Sequence, residues 1–261
     1  MLDLQADALL KQAAEQGAPD FADLPLVQCR TFFKDFITTV DAPLADVQMQ
    51  DQSIAGPGGP LTLRIFTPED GPSLKPVLMY FHGGGFVVGG LDSHDDVCAE
   101  ICVQAGYRVV SVDYRLAPEH PYPAALDDCY AAWEFMIANG PSGPSEAANA
   151  FAMGDSAGGN LSAALLLRLK EQGGRQADGA ILMSGVFDLA CESESWESNQ
   201  RSDVMIGRPD GTQDDSDMFA NKDWIDYYLN GQDPKQPLAS PLYGDLSGLP
   251  SLLILVGNDE C

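Results

Sequence analysis

Phe151-Ala152-Met153-Gly154-Asp155-Ser156-Ala157-Gly158-Gly159-Asn160 places a serine between glycines where an apolar run gives way to a helix-like one. G-x-S-x-G in that setting reads as a nucleophile elbow, a reversal so sharp that the serine sits in a strained turn with its hydroxyl outward. Its neighbours are small because the strand and helix backbones nearly touch there. The pattern alone is a weak signal. A second stretch strengthens it.

Pro76-Val77-Leu78-Met79-Tyr80-Phe81 reads as a buried strand of apolar and aromatic residues. It runs into His82-Gly83-Gly84-Gly85-Phe86. Acyl transfer passes through a tetrahedral intermediate with a negative oxygen, and losing one donor to that oxygen costs about 3–4 kcal/mol. Backbone N–H groups reach it best where no side chain intervenes, so consecutive glycines are the expected composition. The candidate donors are the N–H groups of Gly84 and Gly85, joined by that of Ala157 at the start of the helix after the elbow. A flexible glycine-rich turn is the plainer reading of residues 82–86, and the elbow about seventy residues later argues against it. His82 precedes this loop and, with Gly83, reads as its support rather than as a general base.

A third stretch, Asp113-Tyr-Arg-Leu-Ala-Pro-Glu-His-Pro-Tyr-Pro-Ala-Ala-Leu-Asp-Asp128, completes a set in fixed order. With it the chain resembles, over nearly its whole length, the hormone-sensitive-lipase-like branch of the α/β-hydrolases, the bacterial family IV esterases. The resemblance implies an α/β-hydrolase fold: a mostly parallel central sheet, helices on both faces and a helical cap, with the final strand and helix missing. It implies a serine carboxylesterase acting on short-chain acyl esters through an acyl-enzyme at Ser156, and a serine–aspartate–histidine triad in that chain order. No metal or organic cofactor is implied. Asp259 matches the triad carboxylate, since Pro250–Val256 is an apolar strand leading into Gly257-Asn258-Asp259.

The resemblance places the triad histidine some tens of residues further on. The sequence holds His82, His94 and His120, all before Ser156. His94 lies in the polar start of a helix and His120 in a proline-rich loop, and both read as surface or structural. A serine hydroxyl without a base is a poor nucleophile. The expectation is therefore a truncated esterase, nearly inactive as given. The rival is a non-catalytic binder of small acyl or carboxylate ligands on the same fold, which the plant gibberellin receptors resemble. An amidase or peptidase would use the same triad. Asp155 reads as fixing the elbow turn, and Asp188 as a loop residue outside the site.

Thirty-nine acidic against fourteen basic residues give a net charge of −25, which argues against nucleic acid or an anionic membrane as partner. The expected partner is a small-molecule ester substrate. Acidity spread along the chain suits a salt-tolerant source. Six cysteines without C-x-x-C suggest neither zinc nor a redox motif. The first residues lack the basic-then-apolar pattern of a secretory signal, and no run is apolar enough to span a bilayer, so the expected location is cytoplasmic.

Strands are expected near 46–53, 61–66, 76–81, 107–112, 149–153, 179–184 and 250–256. Helices are expected near 2–16, 93–105, 123–138 and 157–172, with a buried face of Phe32, Phe33, Phe36 and Ile37 ahead of the first strand. Gly56–Pro60 reads as the turn between the first two strands. Alternating strands and helices argue for a parallel sheet covered on both faces. Residues 1–45 read as N-terminal cap helices, and 46–261 as the catalytic domain with a cap insertion near 191–236. An apolar final strand with one side unpartnered invites self-association, such as a homodimer through the open sheet edge.

Overall fold

The computed structural model describes residues 8, 11–12, 24–38, 47–68, 76–139, 149–203, 206 and 222–261. Of the helix expected over 2–16 only residues 8, 11 and 12 are described, and all three are helical, while residues 207–211 of the expected cap insertion lie outside the described residues. The first described helix is α1 (Leu26–Thr38), followed by a hairpin of β1 (Val47–Gly56) and β2 (Gly59–Pro68). Then come β3 (Val77–Phe81), α2 (Asp95–Ala105), β4 (Arg108–Val112), α3 (Ala124–Asn139), β5 (Ala150–Asp155), α4 (Ala157–Gln172) and β6 (Gly179–Met183). Two short helices, α5 (Glu194–Ser198) and α6 (Lys222–Leu229), precede β7 (Leu252–Leu255).

The seven strands form one sheet in the order β1-β2-β4-β3-β5-β6-β7. β1 pairs antiparallel with β2, and β2 antiparallel with β4. Every pair from β4 through β7 is parallel. This is the mostly parallel α/β-hydrolase sheet that the resemblance implied. The hairpin turn is tighter than the sequence suggests, because Gly56 pairs with Gly59 and only Pro57 and Gly58 connect the strands. Pro60 continues β2 without cost, since it lies beyond the part of β2 that pairs with β4.

β3 shows why apolar runs without alternation become central strands. All five of its residues are buried. Val77, Met79 and Phe81 face one layer, with Trp133 of α3 and Leu161 and Leu165 of α4. Leu78 and Tyr80 face the other, with Cys98, Ala99 and Cys102 of α2. The period-two alternation of a strand thus feeds two cores. Burying each leucine-sized side chain contributes about 2 kcal/mol. α4 is buried over most of its circumference, which fits its near-continuous Ala and Leu composition. α2 and α4 both stop at a left-handed glycine, Gly106 (φ 67°) and Gly173 (φ 67°).

The outer strand β7 is different. Leu253, Ile254, Leu255 and Val256 are 53%, 52%, 47% and 64% exposed. Among the described residues only β6 pairs with it. None of the described helices is long and apolar enough to cross a membrane.

Candidate active site

Strand ends converge on this site. Ser156 follows β5 directly, and the parallel strands β3, β5, β6 and β7 all end on the same edge of the sheet. The Ser156 N–H donates to the Met183 carbonyl of β6 (2.9 Å), and the Ser184 N–H donates to the Leu255 carbonyl of β7 (2.7 Å). The elbow, the loop after β6 and the turn after β7 therefore lie side by side.

Ser156 has φ 52° and ψ −118°, a left-handed strain that a β-carbon rarely tolerates. It sits at the N-cap of α4, where serine ordinarily folds its hydroxyl back onto the helix amides. Here the side chain makes no such bond, and the residue is half-buried. That φ lies outside the extended region an N-cap residue ordinarily adopts, and the hydroxyl is left off the helix amides. Close packing explains the flanking glycines. A β-carbon on Gly158 would collide with the Phe81 carbonyl oxygen at the end of β3.

The glycine loop is held so that its amides face away from its anchors. His82 Nδ1 lies 2.7 Å from the Gly83 carbonyl oxygen. The carbonyl of Gly84 accepts from the N–H groups of Val87 (3.0 Å) and Val88 (2.9 Å). In a trans peptide the N–H points opposite to the preceding C=O. The amides of Gly84 and Gly85 therefore point away from His82 and from the turn, and neither donates to any described residue. Likewise the Ser156 carbonyl accepts from Asn160 and Val186, which directs the Ala157 N–H outward at the helix start.

His82 is fully buried, stacks on Tyr114 (centroids 4.1 Å apart) and has no partner at Nε2 among the described residues. The Tyr114 hydroxyl donates to the His82 carbonyl (2.6 Å). Burial first, then the neighbouring His94, push the His82 pKa down to about 4. The ring thus lies against the Gly83 carbonyl and under Tyr114.

His94 is not on the surface. It is buried, with Nδ1 2.8 Å from the Ser93 hydroxyl and Nε2 3.5 Å from Asp155 Oδ1. Helix α2 turns the ring inward because its apolar face packs on β2 and β4, with Cys98, Ala99 and Cys102 clustering with Phe66 and Val109. His120 is exposed. None of the three histidines hydrogen-bonds to the Ser156 hydroxyl.

Asp155 does more than fix its own turn. Its Oδ1 accepts from the Gly83 N–H (3.0 Å) and the Tyr80 hydroxyl (2.7 Å), so it ties the elbow to the glycine loop. Burial raises its pKa, but hydrogen bonding and charge from His94, and the Tyr80 hydroxyl, outweigh that and leave it below the usual value. The Asp113–Asp128 stretch is structural. Arg115 grips the buried Asp128 through Nε (2.8 Å) and Nη2 (3.0 Å) and adds its own N–H (2.9 Å). Asp188 accepts from the N–H groups of Ala190, Glu192 and Ser193 and from the Tyr243 hydroxyl, and so shapes its own loop.

The turn after β7 holds two carboxylates. Asp259 is exposed, and the structure forms no hydrogen bond between it and Ser156. Glu260, which the sequence reading passed over, is half-buried. One of its oxygens accepts from the Gly257 N–H (2.9 Å) and the Ser184 hydroxyl (3.0 Å). From the other side, Trp224 of α6 packs on Gly85, and Tyr228 stacks on Phe86 at 3.7 Å. A cavity of about 350 Å³ lies beside Arg30, Phe33, Gly89, Gly90 and Asp113, and Ser156 is not in its wall.

A strained serine between β5 and α4, beside a glycine loop with outward amides, defines the elbow-and-oxyanion-loop class of α/β proteins. Residues 78–261 match the family described as alpha/beta hydrolase fold. The chain belongs to that family, in its hormone-sensitive-lipase-like branch. It is 37% identical over 184 residues to an acetyl-hydrolase of Streptomyces hygroscopicus, covering 70% of this chain and 56% of that protein. It is 35% identical over 246 residues to the carboxylic ester hydrolase LipN of Mycobacterium tuberculosis, covering 91% of this chain and 62% of that one. Among solved structures, the hyperthermophilic esterase of Pyrobaculum calidifontis superposes with a TM-score of 0.80 at 30% identity, covering 97% of this chain and 79% of that one. A thermostable esterase from Pseudomonas putida ECU1011 gives 0.86 at 26% identity, with 99% and 79% covered. The chain thus spans less than two thirds of the length of these two curated relatives.

Proposed function

We propose that this chain carries the nucleophile and oxyanion site of a serine carboxylesterase for small, short-chain acyl esters. Ser156 attacks the ester carbonyl, and the amides of Gly84, Gly85 and Ala157 receive the developing oxyanion. The observation that carries the reading is that the amides of Gly84, Gly85 and Ala157 have no partners among the described residues, on an elbow and a loop tied together by the Gly83–Asp155 bond, with a serine hydroxyl not used for capping. The names of the relatives support an esterase over a non-catalytic ligand binder.

The carboxylate that orients the base comes from the turn after β7. Asp259 is the candidate read from sequence. Glu260 is a second one, since one of its oxygens is fixed by two donors, an arrangement that presets a carboxylate to receive an imidazole N–H. Of the histidines in these 261 residues, His82 and His94 are committed to the loop and to Asp155, and His120 is exposed. We infer that residues 1–261 alone turn over esters at only a residual rate.

Two outcomes test this. Ser156→Ala abolishes the residual hydrolysis of p-nitrophenyl acetate above the buffer rate, and p-nitroacetanilide is cleaved at least tenfold more slowly than the ester. Equal rates for Ser156→Ala and the parent chain would remove the nucleophile. Preference for the anilide would favour an amidase.

The exposed apolar side chains of β7 lead to a further expectation, self-association through this edge. Light scattering of the 261-residue chain gives a mass above the 27.9 kDa of one copy. Replacing Leu253 and Leu255 together by lysine moves it back toward one copy. A monodisperse single copy before substitution argues against the edge as an interface.

A further inference from the structure

We propose that Arg30 of α1 is a positioning residue that sets the oxyanion loop from the cap side. The inference rests on the esterase reading for its chemical meaning, but its geometry stands alone. Arg30 Nε donates to the Val87 carbonyl (2.9 Å), and Nη2 donates to the Ala117 carbonyl (2.9 Å). Nη1 and Nη2 also meet the Glu119 carboxylate at 2.8 and 2.7 Å. One planar group therefore joins three segments: the N-terminal helix, the end of the glycine loop and the Asp113–Asp128 stretch.

The exposed half of this arrangement, Arg30 with Glu119, is a surface ion pair and by itself stabilises little. Its effect is directional. The carboxylate fixes the plane of the guanidinium, and two N–H bonds of that plane are then aimed at backbone carbonyls. Those carbonyls belong to a closed circuit. The Ala117 N–H donates to the Phe86 carbonyl (2.9 Å), while the amides of Val87 and Val88 close on the Gly84 carbonyl. Phe86 is held at φ 64°, a conformation unusual for a residue with a side chain, and its ring is pinned by Tyr228. Releasing the Val87 carbonyl frees the turn that orients the Gly84–Gly85 peptide, and with it the Gly85 amide. Lysine cannot replace the group, since one ammonium cannot reach two carbonyls and a carboxylate in a fixed plane.

The test compares the parent chain with Arg30→Met, Arg30→Lys and Glu119→Gln, with imidazole supplied as the base. Hydrogen exchange of the Val87 and Val88 amides, which close on the Gly84 carbonyl, is read beside Ser156-dependent turnover of p-nitrophenyl acetate. Arg30→Met and Arg30→Lys speed exchange at Val87 and Val88 at least tenfold while β5 exchanges as before, and kcat falls at least tenfold with KM within about twofold. Glu119→Gln, which keeps an acceptor, shows a smaller change of the same kind. Unchanged exchange at Val87 and Val88 overturns the proposal. So does a lowered melting temperature with kcat and KM both retained, since that is anchoring of α1 and nothing more. A parent chain with no Ser156-dependent turnover defeats the esterase reading instead, and the exchange measurement still decides the role of Arg30.

Discussion

Imidazole added to the 261-residue chain raises Ser156-dependent hydrolysis of p-nitrophenyl acetate on the order of a hundredfold. A positioned general base contributes typically 10² to 10⁴ in rate. An untethered base recovers only the lower part of that range, because it brings none of the entropy advantage of a held group. The proposed site supplies the parts that a free base cannot: a strained serine whose hydroxyl does not cap its helix, and amides at Gly84, Gly85 and Ala157 without partners among the described residues. The increment saturates with imidazole concentration and grows as the added imidazole loses its proton near neutral pH. Imidazole also attacks this ester in solution, so the readout is the difference between the parent chain and Ser156→Ala. An identical increment in both ends the idea. The assay also separates the two carboxylates after β7. Whichever of Asp259→Asn and Glu260→Gln removes most of the saturable increment identifies the group that orients the base.

The parts of this site legible in the sequence are those whose chemistry is local. An elbow needs its glycines within two residues of the serine, because the Gly158 α-carbon lies against the β3 carbonyls. The glycine loop must follow its strand directly. Both are short-range demands, and both sit where residues 76–86 and 151–160 imply. What the sequence hides is the cross-bracing. Asp155 reaches Gly83 across 72 positions, and Arg30 reaches Val87 across 57. Those contacts arise because β3 and β5 are neighbours and because α1 docks over the loop, neither of which a local pattern encodes. His94 is a similar case. Its polar neighbours Asp92, Ser93, Asp95 and Asp96 suggest a surface position, yet the apolar face of α2 turns the ring into a pocket beside Tyr80 and His82. Trp224 and Tyr228 also gave no sign of their partners, since α6 meets the loop only in three dimensions.

His82 makes the fold acid-sensitive, with stability falling by about 3 kcal/mol as pH drops from about 6.5 to about 4. In the unfolded chain the imidazole takes its proton near pH 6.5, while in the fold it does so only near 4. Between those values the unfolded state binds more protons, so stability is full above about 6.5 and is lost as pH falls toward the folded value. The cause is visible around the ring. Nδ1 is committed to the Gly83 carbonyl, Tyr114 covers one face, and Nε2 is buried with no acceptor among the described residues. A proton at Nε2 would therefore be buried without a hydrogen-bond partner, beside a second imidazole, His94, whose charge opposes it. The nearby carboxylate of Asp155 favours the proton but does not overcome burial. Its own folded pKa is lowered, so its contribution is lost only at still lower pH and does not mimic the His82 step. Two measurements check this. The His82 ring followed by nitrogen NMR stays neutral until about pH 4. Urea unfolding of His82→Gln between pH 6.5 and 4 shows a slope against pH reduced by most of the parent value, whatever the absolute loss of stability. A ring that titrates near 6.5, or a slope unaltered by the substitution, would show that burial does not govern this histidine. The acid sensitivity would also reach the site before global unfolding, because the same ring braces Gly83, and through it the amides of Gly84 and Gly85.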